Sequence, residues 1–316
     1  MVERKKTNMN QDKGDTQENI IIEDLFFNSN GMKCSGMLYR PRKVKNPPIV
    51  IMAHGFAGEM LFGLPPYAKM FSDEGMAVFL FDYRCFGKSE GKPRNLVSPS
   101  HHLKDWHSAI EYVCTLKDIN SQRIALWGSS FSGGHVIVSA AKHQNVRAIV
   151  AQVPFVGGIS CVASSALNLK IFVKALISSV RDVTRSITFR KPYYMPVVGK
   201  TGTLAIMNTP DALDGYMALV PKDYEFANEC PARIFVTANF YMPKKYTKKV
   251  QCPAMIVMAQ KDSLLNPKAI EKAVSMMSNA TLKSMPVGHF DVYVGDVFKE
   301  VVKSECDFLK KHLMEN

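Results

Sequence analysis

A serine between small residues stands at the centre of the segment Ile124–His135, which reads IALWGSSFSGGH. A short apolar run ends at Gly128, and Ser130 follows two residues later, before a Gly-Gly pair and a second apolar stretch. This pattern predicts a sharp turn from a strand into a helix that holds a serine hydroxyl above the sheet. Gly128 and Ser132 suit a tight turn, in which a bulky side chain would collide with the neighbouring backbone. The pattern predicts Ser130 as a nucleophile, although Ser129 and Ser132 are close enough to compete for the assignment.

A serine hydroxyl becomes reactive only when a histidine takes its proton and a carboxylate orients that histidine. Asp262 follows the apolar run Ala254–Ala259, and His289 follows a later extended run. We predict that these two residues serve Ser130 as acid and base. Asp291 is the neighbouring acid, but it stands too close to His289 along the loop to brace the imidazole from behind. The alternatives are that His289 is a core histidine and that Asp262 is a plain helix cap.

Acyl transfer also needs two backbone N–H groups aimed at the oxygen that becomes negative. The N–H of Phe131, directly after the serine, lies at the start of a predicted helix, where donors are unpaired and the helix dipole is positive. The loop after Ile49–Ala53 reads HGFAGEM and places Phe56 beyond a glycine. We therefore predict Phe131 and Phe56 as the two donors. Asp82 is expected to tie down a loop instead of moving protons.

Apolar runs alternate with amphipathic stretches along most of the chain. Strands that are apolar on both faces and alternate with helices predict an α/β fold with a mostly parallel sheet covered on both sides. The predicted strands are Ile20–Phe27, Met37–Tyr39, Ile49–Ala53, Ala77–Phe81, Ile124–Trp127, Ala148–Val153, Ala254–Ala259 and Leu282–Pro286. The predicted helices are Tyr67–Gly75, His101–Leu116, Gly133–Lys142, Pro267–Ser278 and Phe298–Leu313.

The alternation is interrupted between residues 156 and 250, where prolines separate amphipathic stretches. We predict a helical cap there, inserted into a core formed by residues 20–155 and 251–316, and a loose tail over residues 1–19. One cap stripe is expected to pack in a core in preference to recognising an acyl chain; it comprises Leu167, Ile171, Phe172, Leu176 and Ile177.

The composition narrows the possible partners. The net charge of +12 arises from lysines and arginines spread over 316 residues, without a nucleic-acid-binding motif, so a solvated basic surface is expected. The apolar runs are too short for a membrane helix, and the first residues lack the features of a secretion signal. Seven scattered cysteines without metal-ligand spacing indicate reduced thiols in a cytoplasmic protein. We expect a small acyl substrate and no metal or cofactor. A homodimer is compatible with the sequence.

Five segments taken together resemble one superfamily. HGFAGEM, FDYRCFGKSEG, WGSSFSGGH, QKDSLLNP and GHFDVY are similar to the motifs of α/β-hydrolases, most closely of the group of X-prolyl dipeptidyl-peptidase-like, dienelactone-hydrolase-like and fungal polyketide acyltransferase proteins. The cap stretch YMPVVGKTGTLAIMNTPDALDGY resembles the last of these. The chain departs from the commonest elbow pattern at Ser132, where glycine is usual. The resemblance implies a serine hydrolase of carboxylic esters, thioesters or small amides, with an acyltransferase or a non-catalytic binding relative as alternatives.

Overall fold

The computed structural model describes residues 19–158 and 169–315. In chain order the elements are β1 (Ile20–Ser29), β2 (Met32–Pro41), β3 (Pro48–Ala53), α1 (Pro65–Asp73), β4 (Ala77–Phe81), α2 (Pro99–Cys114), β5 (Asn120–Ser129), α3 (Phe131–Ala140), β6 (Val146–Gln152), α4 (Leu169–Ile187), β7 (Tyr194–Met195), α5 (Ala212–Met217), β8 (Cys230–Pro231), α6 (Ile234–Thr237), β9 (Ala254–Ala259), α7 (Pro267–Val274), β10 (Ala280–Met285) and α8 (Gly295–Leu313).

An eight-stranded sheet runs through the centre in the order β1-β2-β4-β3-β5-β6-β9-β10. Six neighbouring strands, β4, β3, β5, β6, β9 and β10, are parallel to one another. β2 is antiparallel to both β1 and β4. This arrangement confirms the predicted α/β class with a mostly parallel sheet. Because β5, β9 and β10 run the same way, the loops that follow them emerge at one edge of the sheet.

Helices cover both faces of the sheet. Along β3, the side chains of Ile49 and Ile51 enter one hydrophobic cluster, and those of Val50 and Met52 enter a second on the opposite face. The first cluster also holds buried side chains of α2, α3 and α7, and the second holds those of α1 and α8. Alternate residues of a strand point to opposite faces, so a strand covered on both sides must be apolar throughout.

Most of the predicted elements are found within a few residues of their expected bounds. The predicted strands Ala77–Phe81 and Ala254–Ala259 match β4 and β9. β2 is much longer than the predicted Met37–Tyr39, because its first half, which mixes polar and apolar residues, pairs with β1 from Ser29↔Met32 onward. Backbone pairing extends this strand beyond the apolar residues that mark it in the sequence.

The stretch between residues 156 and 250 contains α4, α5 and α6 within its described part, together with a pairing of β7 and β8 that the sequence did not indicate. α4 is joined to a later part of this stretch by a partly buried ion pair, in which Arg233 Nε donates to Asp182 Oδ2 at 2.7 Å. The Asp182 carboxylate also accepts bonds from the backbone N–H groups of Tyr193 and Arg233. One buried carboxylate therefore joins three parts of the insertion.

The expected packing of the cap stripe is wrong for part of α4. Leu176 and Ile177 are 39% and 61% exposed, while the helix buries Ala175, Ser178, Ser179 and Asp182. The Asp182 ion pair with Arg233 holds this small and polar face inward, so the larger aliphatic side chains face outward. Leu167 lies outside the described residues.

Three further expectations concern the N-terminal tail, the cysteines and membrane-spanning helices. Residues 1–18 of the predicted tail lie outside the described part, as does Cys161. The six cysteines of the described part are free thiols. In that same part, none of the helices has the length and apolar character that crossing a bilayer would require.

Candidate active site

The turn from β5 into α3 is sharp and strained at Ser130, whose backbone has φ 56° and ψ −118°. The left-handed region is unfavourable for a residue with a side chain, so neighbouring contacts must hold it there. Ser130 N–H donates to Gln152 O, and its carbonyl accepts from Phe155 N–H, both at 2.8 Å. A Cβ at Gly128 would lie 2.5 Å from the carbonyl oxygen of Ser132. The turn therefore requires glycine at this position, as the sequence predicted.

The side chains of Ser130, Asp262 and His289 come together in one chain of contacts. His289 Nε2 lies 3.1 Å from Ser130 Oγ, and His289 Nδ1 lies 2.6 Å from Asp262 Oδ2. The acid and the histidine are buried. Ser130 and His289 are 159 positions apart along the chain. They nevertheless meet, together with Asp262, at the sheet edge where β5, β9 and β10 end.

The two neighbouring serines are engaged elsewhere. Ser129 Oγ accepts bonds from Gln152 Nε2 and from the Tyr293 hydroxyl. Ser132 Oγ lies 2.9 Å from the Tyr83 hydroxyl. Ser130 alone of the three has the His289 imidazole within hydrogen-bond distance among these contacts.

The Asp262 carboxylate is fixed by its own loop. Its Oδ1 accepts bonds from the N–H groups of Leu264 and Leu265, both at 2.8 Å, which leaves Oδ2 directed at His289. Asp291 instead accepts a bond from the N–H of Gly288 at 2.7 Å and so closes the turn that carries the histidine. The structure gives the two acids different partners, in the way that their sequence positions suggested.

The two residues predicted as N–H donors both lie close to Ser130: Phe131 follows it in the chain, and Phe56 lines the same cavity. Phe131 is the first residue of α3, and Phe56 lies in the loop after β3. Their rings meet edge to face, with centroids 5.5 Å apart. A Cβ at Gly55 would lie 3.1 Å from Ser130 Cβ, so this loop is pressed against the elbow.

Asp82 holds the same loop from below. Its Oδ1 accepts a bond from the N–H of Met60 at 2.7 Å, the anchoring role that the sequence predicted. Burial raises the pKa of Asp82 from 3.8 to about 7. The neighbouring imidazole of His54 is also buried, and burial lowers its pKa from 6.5 to about 3. His54 is therefore neutral at physiological pH.

Buried aromatic groups form a layer beneath the elbow. The His102 imidazole stacks on the Tyr83 ring at 3.9 Å and lies 3.2 Å from His135, which in turn contacts the Tyr241 hydroxyl at 2.6 Å. Burial lowers the pKa of both histidines, that of His135 to about 3. The two imidazoles are thus neutral packing groups.

A small cavity of about 30 Å³ opens over Ser130. It is lined mainly by apolar and aromatic side chains from the core and from the 156–250 stretch. The lining residues are His54, Gly55, Phe56, Gly58, Phe62, Leu64, Ser130, Met207, Tyr216, Leu219, His289, Phe290 and Tyr293.

The sequence reasoning singled out few of these lining residues. Phe290 and Tyr293 stand in the GHFDVY segment beside His289, so proximity to the motif was the available signal. Met207 and Tyr216 lie in the cap stretch that carried the resemblance, but no periodic pattern marked them. The Tyr216 hydroxyl donates to the carbonyl of Phe56 at 3.1 Å, which joins the insertion to the loop of a predicted N–H donor.

Known proteins that are similar to this chain belong to the superfamily that the sequence motifs and the fold indicate. The model of the hydrolase family described as "Serine aminopeptidase, S33" matches residues 45–289. The chain belongs to this family. Its fold and family make it an α/β-hydrolase-fold enzyme, and the resemblance that the sequence motifs indicated is confirmed.

Similar proteins cover nearly the whole chain. The quorum-quenching protein AidA of Acinetobacter baumannii is 38% identical over 288 residues, which are 91% of this chain and 94% of AidA. The polyketide transferase af380 of Aspergillus fumigatus is 27% identical and covers 92% of this chain and 98% of its own length. The crystal structure of the α/β hydrolase GrgF from Penicillium has a TM-score of 0.77 at 24% identity, over 93% of this chain and 99% of GrgF.

Proposed function

We propose that the chain is a serine hydrolase of carboxylic esters that works through an acyl-enzyme on Ser130. The observation that carries the proposal is the linked contact of Ser130 Oγ with His289 Nε2 and of His289 Nδ1 with Asp262, at 3.1 and 2.6 Å. This is the arrangement in which an imidazole takes the hydroxyl proton while a carboxylate fixes its orientation.

The reaction has two halves. In the first, Ser130 Oγ attacks the ester carbonyl, His289 takes the serine proton and returns it to the departing alcohol, and an acyl ester forms on Ser130. In the second, His289 removes a proton from water and the resulting hydroxide attacks the acyl carbonyl. The bond between this carbon and Ser130 Oγ then breaks, the carboxylic acid leaves, and His289 returns the proton to Ser130 Oγ. Asp262 stabilises the imidazolium in each half. The N–H groups of Phe56 and Phe131 hold the oxyanion.

The shape of the site supports a short and uncharged acyl group. The free volume over Ser130 is about 30 Å³, whereas sites for drug-sized ligands span roughly 300 to 1,000 Å³. Met207, Tyr216 and Leu219 close the site from the 156–250 stretch. We assign this stretch the role of a cap that limits the length of the acyl chain.

An acyltransferase is the second candidate, because polyketide transferases are similar to this chain over more than nine-tenths of its length. Transfer differs from hydrolysis only in the nucleophile that attacks the acyl-enzyme. The cap would then have to seat an alcohol or amine and keep water out.

Hydrolysis of p-nitrophenyl esters of graded acyl length tests the proposal. We expect the highest kcat/KM with acetate or butyrate and a steady fall toward longer chains. Ser130→Ala should lower kcat by several powers of ten, with an unchanged circular dichroism spectrum. Ser129→Ala is the matched control and should retain most of the activity, because Ser129 Oγ does not face His289.

Three results would contradict the assignment. Full activity of Ser130→Ala would remove the nucleophile, and failure of a fluorophosphonate to label the wild-type serine would favour a non-catalytic binding protein. Products that contain an added alcohol in preference to the free acid would favour transfer over hydrolysis.

A further inference from the structure

Two histidines and a glutamate meet on the surface where α2 passes the end of α3. His107 and Glu111 are one turn apart on α2, and His143 follows α3 by three residues. One ligand atom from each of these side chains lies within 4.8 Å of the other two. His107 and Glu111 are exposed and His143 is partly exposed, so the group is open to solvent.

The separation of the imidazoles has the value that a shared metal ion requires. His107 Nδ1 lies 3.3 Å from His143 Nε2. Two nitrogens bound to Zn²⁺ at about 2.0 to 2.1 Å in a tetrahedral site are themselves about 3.3 Å apart. The two rings are inclined by 32°, with centroids 5.1 Å apart. The exposed Glu111 carboxylate lies within 4.8 Å of both nitrogens, so it is near enough to be the third ligand.

One nearby residue, Lys142, carries a charge that opposes the binding of a cation to this group. Lys142 adjoins His143 in the chain, and a lysine ammonium disfavours a bound cation. Its Nζ, however, lies 5.7 Å from the centroid of the Tyr246 ring. The Glu111 carboxylate offsets one of the two charges of a divalent ion.

A second histidine pair, between α2 and α3 themselves, shows what distinguishes the surface pair. His102 and His135 also join α2 to α3, at 3.2 Å, but both are fully buried and a tyrosine takes the remaining position on His135. The surface pair instead has the Glu111 carboxylate within 4.8 Å and is open to solvent.

We propose that His107, Glu111 and His143 form a surface site for a divalent transition-metal ion such as Zn²⁺, which ties α2 to the end of α3. Two imidazoles and one carboxylate suit Zn²⁺ and leave a fourth position for water. Nitrogen ligands favour Zn²⁺ and Cu²⁺ over Mg²⁺ and Ca²⁺, which prefer oxygen. The site is separate from the proposed triad and does not depend on the proposed reaction.

Calorimetric titration of the full chain, without a histidine tag, with ZnCl₂ tests the proposal. We expect one Zn²⁺ per chain, and a melting temperature that rises by a few degrees in excess Zn²⁺, because the ion binds the folded chain. MgCl₂ should give neither effect. His107→Ala and His143→Ala should each weaken Zn²⁺ binding at least about tenfold, as losses of coordination usually do.

Two control variants separate this site from other metal-binding side chains. His312→Ala removes a partly exposed histidine on α8, and Cys114→Ser removes the exposed thiol on α2; both should bind Zn²⁺ as the wild type does. The metal-free melting temperatures of the histidine variants should fall only slightly, since the contact that each variant loses lies at the surface. Absence of Zn²⁺ uptake, or uptake that survives both histidine substitutions unchanged, would overturn the proposal.

Discussion

Three serines within four residues share the elbow, and what separates them is the direction of each hydroxyl. Ser129 and Ser132 point into the protein, where Gln152, Tyr293 and Tyr83 engage them. Ser130 sits at the strained residue itself, so its Oγ projects toward His289. The spacing from Gly128 predicts Ser130 as the residue at the turn, because the geometry of the turn is local.

Replacing Asp262 by asparagine tests how the imidazole is oriented. The asparagine carbonyl can still accept from Leu264 and Leu265, so its amide would face His289 Nδ1 and favour the wrong tautomer. Under the proposed mechanism, kcat should fall by about 10⁴ with a smaller change in KM. Steady-state kinetics on a short-chain ester would measure this.

Asp291→Asn is the matched control, because Asp291 closes the turn before His289 without facing the imidazole. Its kcat should stay within about tenfold of the wild type. An equal loss in both variants would mean that the acid role has been assigned to the wrong residue.

At the scale of elements, the sequence predicted best the strands that are marked by an uninterrupted apolar run and buried on both faces. β4 and β9 are buried on both faces, and their apolar runs matched the strands. The mixed first half of β2 and the two-residue pairing of β7 with β8 depend on backbone partners in other strands, which leave no local apolar pattern. The stripe on α4 misled because an amphipathic pattern does not tell which face turns inward.

The candidate site likewise contains residues whose meeting the sequence indicated and residues whose position it did not. Ser130, Asp262 and His289 stand in the loops that follow β5, β9 and β10 of one parallel sheet, so their order along the chain indicated that they meet. Met207 and Tyr216 approach the site from an insertion whose position depends on tertiary contacts such as Arg233 with Asp182. Spacing along the chain carries no information about such contacts.

α5 braces the loop of Phe56 through one hydroxyl. Tyr216→Phe removes the bond to the Phe56 carbonyl but keeps the ring, which contacts Phe62 and Phe226. If the N–H of Phe56 holds the oxyanion, kcat should fall about tenfold with little change in KM, less than the hundredfold or greater loss of a donor itself. Stability should fall by about 1 kcal/mol for the lost bond.

Tyr194→Phe provides a control of the same chemistry. The Tyr194 hydroxyl also joins the insertion to a backbone carbonyl of the core, that of Arg94, but at a residue that does not line the cavity. This variant should lose stability without losing kcat. A change in KM alone in Tyr216→Phe would instead indicate a role in substrate binding.

At the scale of the whole molecule, a buried carboxylate links the last helix to the central sheet. Glu305 on α8 is fully buried, and its Oε2 accepts a bond from Trp127 Nε1 on β5 at 2.9 Å. Burial raises the pKa of Glu305 from 4.5 to about 8. Asp82 is shifted in the same direction, to about 7. Both groups favour the protonated form in the folded chain, so folding is opposed when they ionise.

The sign of the pH dependence follows from proton uptake. Between pH 4.5 and about 8 the unfolded chain has lost the Glu305 proton while the folded chain retains it, so the contribution of Glu305 to stability falls as pH rises through this interval. Above the folded pKa the contribution levels off. Below the ordinary pKa both states are protonated, and the contribution no longer changes.

Glu305→Gln should therefore stabilise the protein at high pH only. Glutamine resembles the protonated acid and can still accept from Trp127, so the variant and the wild type should have similar free energies of unfolding at pH 5. At pH 8.5 the variant should be more stable, by at most roughly 5 kcal/mol, since one pKa unit corresponds to about 1.4 kcal/mol. Urea unfolding at both pH values measures the difference. Glu300→Gln, on the exposed side of the same helix, should show no such change. An equal difference for Glu305→Gln at pH 5 and 8.5 would mean that Glu305 ionises normally in the folded protein.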